Sequence, residues 1–198
     1  MGNNIMFFYL YSIKKGRLVS MLLRLKVRSD TAEDFILLID ADATNTFSQL
    51  HELLQKECNL NPSQAVAFFT ADEEWDKGIE IIMSPDDPLH PFSSNEMTMS
   101  NTRLVEFLKN KEDKLLYTFD VLNDKSLYIE LFEIVMEKTI NTPAVKLHKG
   151  KTPVQSSMNK TGKQSRVKNA RDSQDPLDDS GLLEDLYEIY GEMSSNVF

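Results

Sequence analysis

The stretch 114–134 constrains the fold more than any other part of this sequence. Apolar and polar residues alternate from Lys114 to Val121, and a period of two predicts a pleated strand. Nearly every residue from Leu127 to Met136 is apolar, which is typical of a strand that is covered on both faces. Between the two lie Asn123 and Asp124, residue types that suit a tight turn. The stretch therefore predicts a β-hairpin.

The residues before this hairpin predict further strands and a capped helix. Ser20–Arg28 alternates cleanly, and Phe35–Ile39 is fully apolar, so the short link between them indicates an antiparallel hairpin. Thr46 and Gln49 have the spacing of a capping box that opens a helix. Its apolar face is formed by Phe47, Leu50, Leu53, Leu54 and Cys58.

Three more segments complete the predicted domain. Residues 65–70 and 79–83 are expected to be strands, and 101–110 to be a short second helix. We expect an α+β fold over residues 21–140, with a single, mostly antiparallel sheet of about six strands and two packed helices.

Two motifs resemble those of a known family. In the predicted hairpin the matching residues are Tyr117, Phe119, Asp120 and Ile129, and in the first helix they are Phe47, Leu50 and His51. The hairpin resembles the signature Tyr-x-Tyr-Asp-Phe-Gly-Asp-x-Trp-x-His-x-Ile of mobile-element passenger proteins. These are typified by the third open reading frame of an agrobacterial Ri plasmid and are often labelled TnpR-like. The chain has Lys125 and Leu127 at the Trp and His positions, so the resemblance implies no role for those two positions.

The ends of the chain differ from its centre in charge and composition. Residues 1–20 are expected to be a disordered leader or to result from a start site assigned too early, with Met21 as the alternative start. Residues 141–171 contain 8 Lys and Arg and no acidic residue. Because the segment has no apolar periodicity, we expect 141–177 to be a disordered basic linker. This linker is interpreted as a spacer, a nucleic-acid-binding arm or a contact for another acidic partner.

The last segment, residues 178–198, is predicted to be an acidic amphipathic helix. Residues 172–198 contain 8 Asp and Glu and no basic residue. The apolar residues at helical spacing are Leu182, Leu183, Leu186, Ile189 and Tyr190. A short helix is marginal alone in water, so this one is expected to dock either on its own domain or in a groove of a protein partner.

No cofactor or metal motif is present. With Cys58 as the only cysteine and the three histidines far apart, neither a disulfide nor a zinc spacing exists, and we expect no metal and no cofactor. No apolar run has the roughly 18 residues that a membrane span requires. We therefore expect a cytoplasmic protein with no membrane contact.

Four polar or aromatic residues are candidates for function, each with a purely structural alternative. His51 lies beside an apolar helical face, where an imidazole is more often packed than catalytic. Asp120 and Tyr117 occupy family positions, although an acidic residue at the end of a strand often only caps a turn. Trp75, in the acidic turn 71–78, either packs on the sheet or anchors a partner.

The sequence favours a non-catalytic domain that contacts another macromolecule. This hypothesis depends on the lack of catalytic spacing and on the detachable acidic helix. The first alternative is a nucleic-acid-associated protein in a recombination or defence context, acting through residues 141–171. The second is an enzyme, which would require Asp120 and His51 to converge in one pocket.

Overall fold

Residues 21–83, 97–136 and 138–156 are described by the structure, a computed structural model of the chain. All of them belong to the first of the two units into which the chain divides, Met1–Met158. The expected leader and the expected C-terminal helix, 1–20 and 178–198, lie outside the described residues.

The described residues form an eight-stranded sheet and one α-helix. In chain order the elements are β1 Met21–Ser29, β2 Ile36–Asp42, α1 Phe47–Glu57, β3 Ala67–Ala71, β4 Lys77–Ile82, β5 Met97–Thr98, β6 Lys114–Asp120, β7 Lys125–Met136 and β8 Ala144–Lys149. The strand order is β5-β4-β3-β6-β7-β1-β2-β8, and all neighbours are antiparallel except β4 and β5. The predicted α+β class is confirmed in outline, but the expected count of about six strands is too low.

The second predicted helix is wrong, because residues 101–110 contain only a 3-10 turn at Leu104–Glu106. The carboxylate of Asp113 explains why no helix follows. Its Oδ2 accepts hydrogen bonds from the backbone N–H groups of Lys109, at 2.7 Å, and Asn110, at 2.8 Å. In a helix those N–H groups would donate to helical carbonyls. The aspartate accepts them instead, so the helix does not continue.

Strand β1 has the alternation that its sequence predicts. Leu23, Leu25 and Val27 belong to the core cluster on the helix side of the sheet. On the opposite side, Arg24 donates from Nε to Asp40 at 2.9 Å and from Nη1 to Glu133 at 2.5 Å. The sheet therefore has one apolar face under α1 and a second face on which charges pair between strands.

Strand β7 alternates as well, which corrects the expectation that it is covered on both faces. Leu127, Ile129 and Leu131 are fully buried in the core, whereas Tyr128 and Phe132 on the other face are half-buried. The alternation is not visible in the sequence, because Tyr128 and Phe132 on the second face are apolar residue types like those in the core.

Helix α1 begins with the predicted capping box. The backbone N–H of Gln49 donates to Oγ1 of Thr46 at 3.3 Å, and the backbone N–H of Thr46 donates to Oε1 of Gln49 at 2.9 Å. Both contacts satisfy N–H groups that would otherwise lack a partner at the start of the helix. Phe47, Leu50 and Leu54 then face the sheet and are fully buried.

Part of the expected disordered linker is an ordered strand, which corrects the boundary at residue 140. Residues 144–149 form β8 and pair with β2, from Ile36 opposite Lys149 to Asp40 opposite Ala144. Gly150 follows with φ of 78°, and a Cβ there would overlap the carbonyl oxygen of Asp34. Among the described strands β8 has a neighbour on one side only, so a few apolar residues are enough for it. The surrounding lysines obscure this short apolar pattern in the sequence.

Candidate functional site

Two of the candidate residues form a hydrogen bond inside the core. His51 extends from α1 toward the sheet, where its Nδ1 lies 2.8 Å from the hydroxyl oxygen of Tyr117 on β6. Tyr117 is fully buried and His51 is 8% exposed. The ring of Phe68 on β3 lies 4.7 Å from that of Tyr117, measured between centroids. The polar pair is thus buried beside an apolar ring, and Nδ1 of His51 and the hydroxyl of Tyr117 satisfy each other.

The surroundings of this pair keep its members uncharged. Burial lowers the pKa of His51, although the nearby Glu52 acts in the opposite direction. Burial, and then the neighbouring Cys58, raise the pKa of Tyr117. Burial, followed by Glu57, also raises the pKa of Cys58 to about 12. The imidazole, the phenol and the protonated thiol are all nearly buried, so they act in packing and hydrogen bonding within the core.

Asp120 has a different environment at the end of strand β6. It ends β6 and is 4% exposed. Its Oδ1 accepts a hydrogen bond from Nδ2 of Asn123 at 2.9 Å, and its Oδ2 accepts one from the backbone N–H of Ser156 at 3.0 Å. The Nζ of Lys125 lies 3.9 Å from the same Oδ2. Burial raises the pKa of Asp120, but the hydrogen bonds from Asn123 and Ser156 outweigh it and the net shift is downward.

The contacts of Asp120 attach a segment that we call the strap, residues 152–156, to the end of the sheet. Gln155 contributes two further attachments, since its Nε2 donates to the carbonyl of Phe119 and its Oε1 accepts from the backbone N–H of Asn61, the latter at 2.7 Å. The Nε2 of Gln64 donates to the carbonyl of Ser156 at 2.8 Å.

Lys125 completes the attachment of the strap. Its Nζ donates to the carbonyl of Val154 and to the hydroxyl of Ser156, both at 3.1 Å. Sequence reasoning missed Gln155 and Ser156, because their partners lie 31 to 94 residues away in the chain and no local spacing signals such pairs.

The structure therefore brings His51 together with Tyr117, and it brings neither of them to Asp120. Along β6 the side chains of Tyr117 and Phe119 belong to the core cluster on the helix side, whereas Asp120 makes its contacts with the turn after β6 and with the strap. The convergence of Asp120 and His51 that an enzyme would require is not present in the described part of the chain.

Trp75 lies over the second face of the sheet. It occupies the turn between β3 and β4 with φ of 66°, a left-handed conformation that is rare for an aromatic residue. Its ring meets that of Tyr128 edge-on, with centroids 5.0 Å apart, and the Nζ of Lys114 lies 4.9 Å from its centroid. Asp72 stabilises this turn, because its Oδ1 accepts from the backbone N–H groups of Glu74 and Asp76. Trp75 is thus packed on the sheet and half-buried.

The other expectations concern the metal, the membrane and the tail. Within residues 21–83, 97–136 and 138–156, no group of three or more His, Cys, Asp or Glu is placed to hold a metal ion. The same ranges contain no helix of sufficient length and apolar character to cross a membrane. The predicted partner-binding residues lie outside the described residues; they are Leu182, Leu183, Leu186, Ile189 and Tyr190.

Comparison with known proteins identifies similarity at two levels. A family model described as plasmid pRiA4b ORF-3-like protein matches residues 23–189. The fold is similar to that in the crystal structure of a protein of unknown function from Methanosarcina mazei Go1, with a TM-score of 0.53 and 18% sequence identity. That match covers 67% of this chain and 71% of the other. A search among curated proteins found no match.

The buried histidine predicts a pH dependence of stability. In the unfolded chain His51 has a pKa of about 6.5, whereas its pKa in the folded chain is lower. Below that pH the unfolded state binds a proton that the folded state does not, so the free energy of unfolding should fall as the pH decreases. Urea unfolding of the native chain and of His51→Gln, measured on both sides of that pH, should give a steeper decrease for the native chain. Equal slopes would contradict the assignment.

The contacts of Asp120 predict that its neutral analogue loosens the strap. Asp120→Asn keeps the shape but loses the charge, and its amide group cannot accept from Ser156 and Asn123 as both carboxylate oxygens do. We expect a loss of about 1–3 kcal/mol in the free energy of unfolding and faster amide exchange at Ser156. The control is Asp124→Asn, an exposed position whose ion pair with Lys77 is worth about 0–1 kcal/mol. Unchanged exchange at Ser156 in the Asp120 variant would disprove the role.

Proposed function

The chain belongs to the plasmid pRiA4b ORF-3-like protein family, and we propose that it acts as a non-catalytic domain that contacts another macromolecule. In this proposal it is a cytoplasmic, TnpR-like passenger of a mobile element. Its sheet domain and its C-terminal acidic segment together provide the contacts, and a protein is the principal partner.

Each candidate acid, base and nucleophile has a structural contact in the fold. This observation supports a non-catalytic role. His51 is hydrogen-bonded to Tyr117 within the core, and Cys58 is buried with a raised pKa. Asp120 uses both carboxylate oxygens to hold the turn and the strap. A general base needs a reachable proton acceptor with a pKa near the working pH. All three groups are less than a tenth exposed, so none of them offers a reachable acceptor.

Exposed apolar side chains at the strap end of the sheet support a contact function. Leu122 is 76% exposed, Val154 is 75% exposed and Val121 is 45% exposed. The first and third lie in the turn between β6 and β7, and Lys125 links that turn to the carbonyl of Val154 at 3.1 Å. Apolar side chains scattered singly over a surface are normal, whereas neighbouring ones often mark an interaction site.

The tail supplies the part of the proposal that can be tested first. The double substitution Leu186→Glu with Ile189→Glu places charges on the apolar side of the predicted helix and leaves the sheet domain unchanged. Buried apolar anchors of an interface often each contribute more than 1 kcal/mol. We therefore expect recovery of the principal partner by the immobilised full chain to fall about tenfold or more.

The matched control for this capture experiment is Ser194→Glu with Ser195→Glu, which adds the same charge beyond the apolar spacing. Recovery should be measured by quantitative mass spectrometry of native lysate, with the double substitution and the control in parallel. If the same partner is recovered in equal amounts with all three chains, the tail does not contribute to binding and that part of the proposal fails.

Nucleic-acid association is a second candidate, and the position of β8 favours it. This edge strand holds the first residues of the basic stretch at the surface, where Lys146, His148, Lys149 and Lys151 are exposed. Phosphate binding requires such a row of cations. Two of its members lie near carboxylates, Lys146 near Asp40 and His148 near Glu57, and these acidic neighbours reduce the net charge of the row.

A salt-dependent gel shift distinguishes this candidate from protein binding. Lys149→Glu with Lys151→Glu should weaken nucleic-acid binding and reduce the slope of log affinity against log salt by about 2, because about one counterion is released per phosphate contact. Lys109→Glu with Lys111→Glu is the control, since these residues lie in the loop before β6. Binding that is absent, or equal in both pairs, would exclude a role for β8.

A further inference from the structure

A cleft lies between the strap and the loop that follows α1. Its volume is about 320 Å³, which is in the range of small-ligand sites. One wall is formed by the loop, with Asn59, Asn61 and Gln64, and the other by the strap. Cys58, which is 3% exposed, also lines the cleft, as does the buried Pro153. Neither the sequence motifs nor the contacts of His51 and Asp120 assign a role to this cleft.

The cleft is lined by neutral hydrogen-bonding groups. It has no Asp, Glu, Lys, Arg or His among its lining residues, whereas the described surface around it is rich in charge. Carboxamides offer both a donor and an acceptor on the same group. A ligand that presents a donor and an acceptor side by side, without a net charge, matches such a lining. A charged ligand would lose hydration and find no counter-charge among the lining residues.

Part of the hydrogen-bonding capacity of these carboxamides is unused. Gln64 donates from Nε2 to the carbonyl of Ser156, and Asn61 accepts at Oδ1 from the backbone N–H of Ser63. The Oε1 of Gln64 and the Nδ2 of Asn61 make no hydrogen bond with another described residue, and neither does the side chain of Asn59. Donors and acceptors therefore remain for a ligand on the loop wall.

The strap wall is held in place before any ligand arrives. Asp120, Gln155, Gln64 and Lys125 each attach it to the rest of the domain, as described above. A wall that is already ordered saves the entropy that binding would otherwise spend on ordering it. Val154 extends the strap wall outward as an apolar side chain that is 75% exposed. The site thus combines a neutral polar interior with an apolar rim.

We infer that this cleft binds an uncharged, extended segment of a partner polypeptide through its peptide groups. The peptide unit carries a strong donor and a strong acceptor and no charge, which is the combination that Asn59, Asn61 and Gln64 can meet. Small apolar side chains of the segment would contact Val154 and Pro153. The inference deepens the proposed function and rests on it, because it names the surface of the sheet domain and the chemistry of the partner.

The test uses a neutral model peptide and the full chain. Acetyl-trialanine amide is titrated into isotopically labelled protein while the side-chain amide signals are followed by NMR. We expect saturable shifts at Asn59, Asn61 and Gln64. The same peptide with a central glutamate or a central lysine should bind more weakly.

Asn59→Gly is the matched variant, because Asn59 has φ of 51° and glycine adopts that conformation without strain. It removes the carboxamide and leaves every attachment of the strap in place, so peptide affinity should fall about fivefold, the equivalent of one neutral hydrogen bond. Ser63→Ala, which lies outside the lining, should leave the affinity unchanged. Val154→Ala should weaken binding by a smaller factor through the loss of apolar contact.

Three results would overturn the inference. They are the absence of saturable shifts, equal affinity in Asn59→Gly, and tighter binding of either charged peptide. The outcome is separable from that of the capture experiment. Partner recovery that depends on Leu186 and Ile189, together with a cleft that binds no peptide, would leave the contact function standing and reject the cleft. Peptide binding without such recovery would support the cleft and reject only the role of the tail.

Discussion

The burial of one sheet face under helix α1 is the constraint on which the described structure depends. The capping box at Thr46 and Gln49 fixes where the helix begins, and its apolar positions then determine which residues point into the core. His51 follows Leu50 directly and is carried inward with it. An imidazole in that position needs a hydrogen-bonding partner, and Tyr117 supplies one from the sheet. A residue that belongs to the family-like motif of the first helix is therefore used in packing.

The two edges of the sheet show how a large antiparallel sheet avoids pairing with other chains. At β8 the register with β2 shifts between Leu38 and Ile39, and Lys146 lies in the corresponding part of the edge strand. At the other side β4 is irregular opposite β3, and β5 has only two residues. Irregular registers, lysines and short strands are known protections of exposed edges. Under the proposed function, contact with a protein partner is therefore better placed at the ends of the strands than along either edge.

The sequence predicted what depends on local spacing and missed what depends on distant partners. The alternation in β1 and the capping box are short-range signals, and both are present as expected. The absence of a second helix depends on Asp113, whose carboxylate accepts two backbone hydrogen bonds. No periodic pattern in the sequence signals these contacts. Strand β8 depends on an open edge of β2, and the strap depends on Asp120. Neither dependence can be read from residues 141–156 alone, because the partner groups lie far away in the chain.

Under the proposed function, the distribution of charge gives the charged segments and the neutral cleft different roles in binding. The strongest local charges are in the basic stretch 141–171 and the acidic stretch 172–198, whereas the lining of the cleft is neutral. Long-range electrostatic attraction mainly raises association rates and decays over about 8 Å in physiological salt. Neutral hydrogen bonds act only at contact and determine which segment fits. In such a chain the charged segments speed the approach to a partner, and the cleft determines which partner binds. Because salt screens only the electrostatic contribution, measurements at different salt concentrations separate the two.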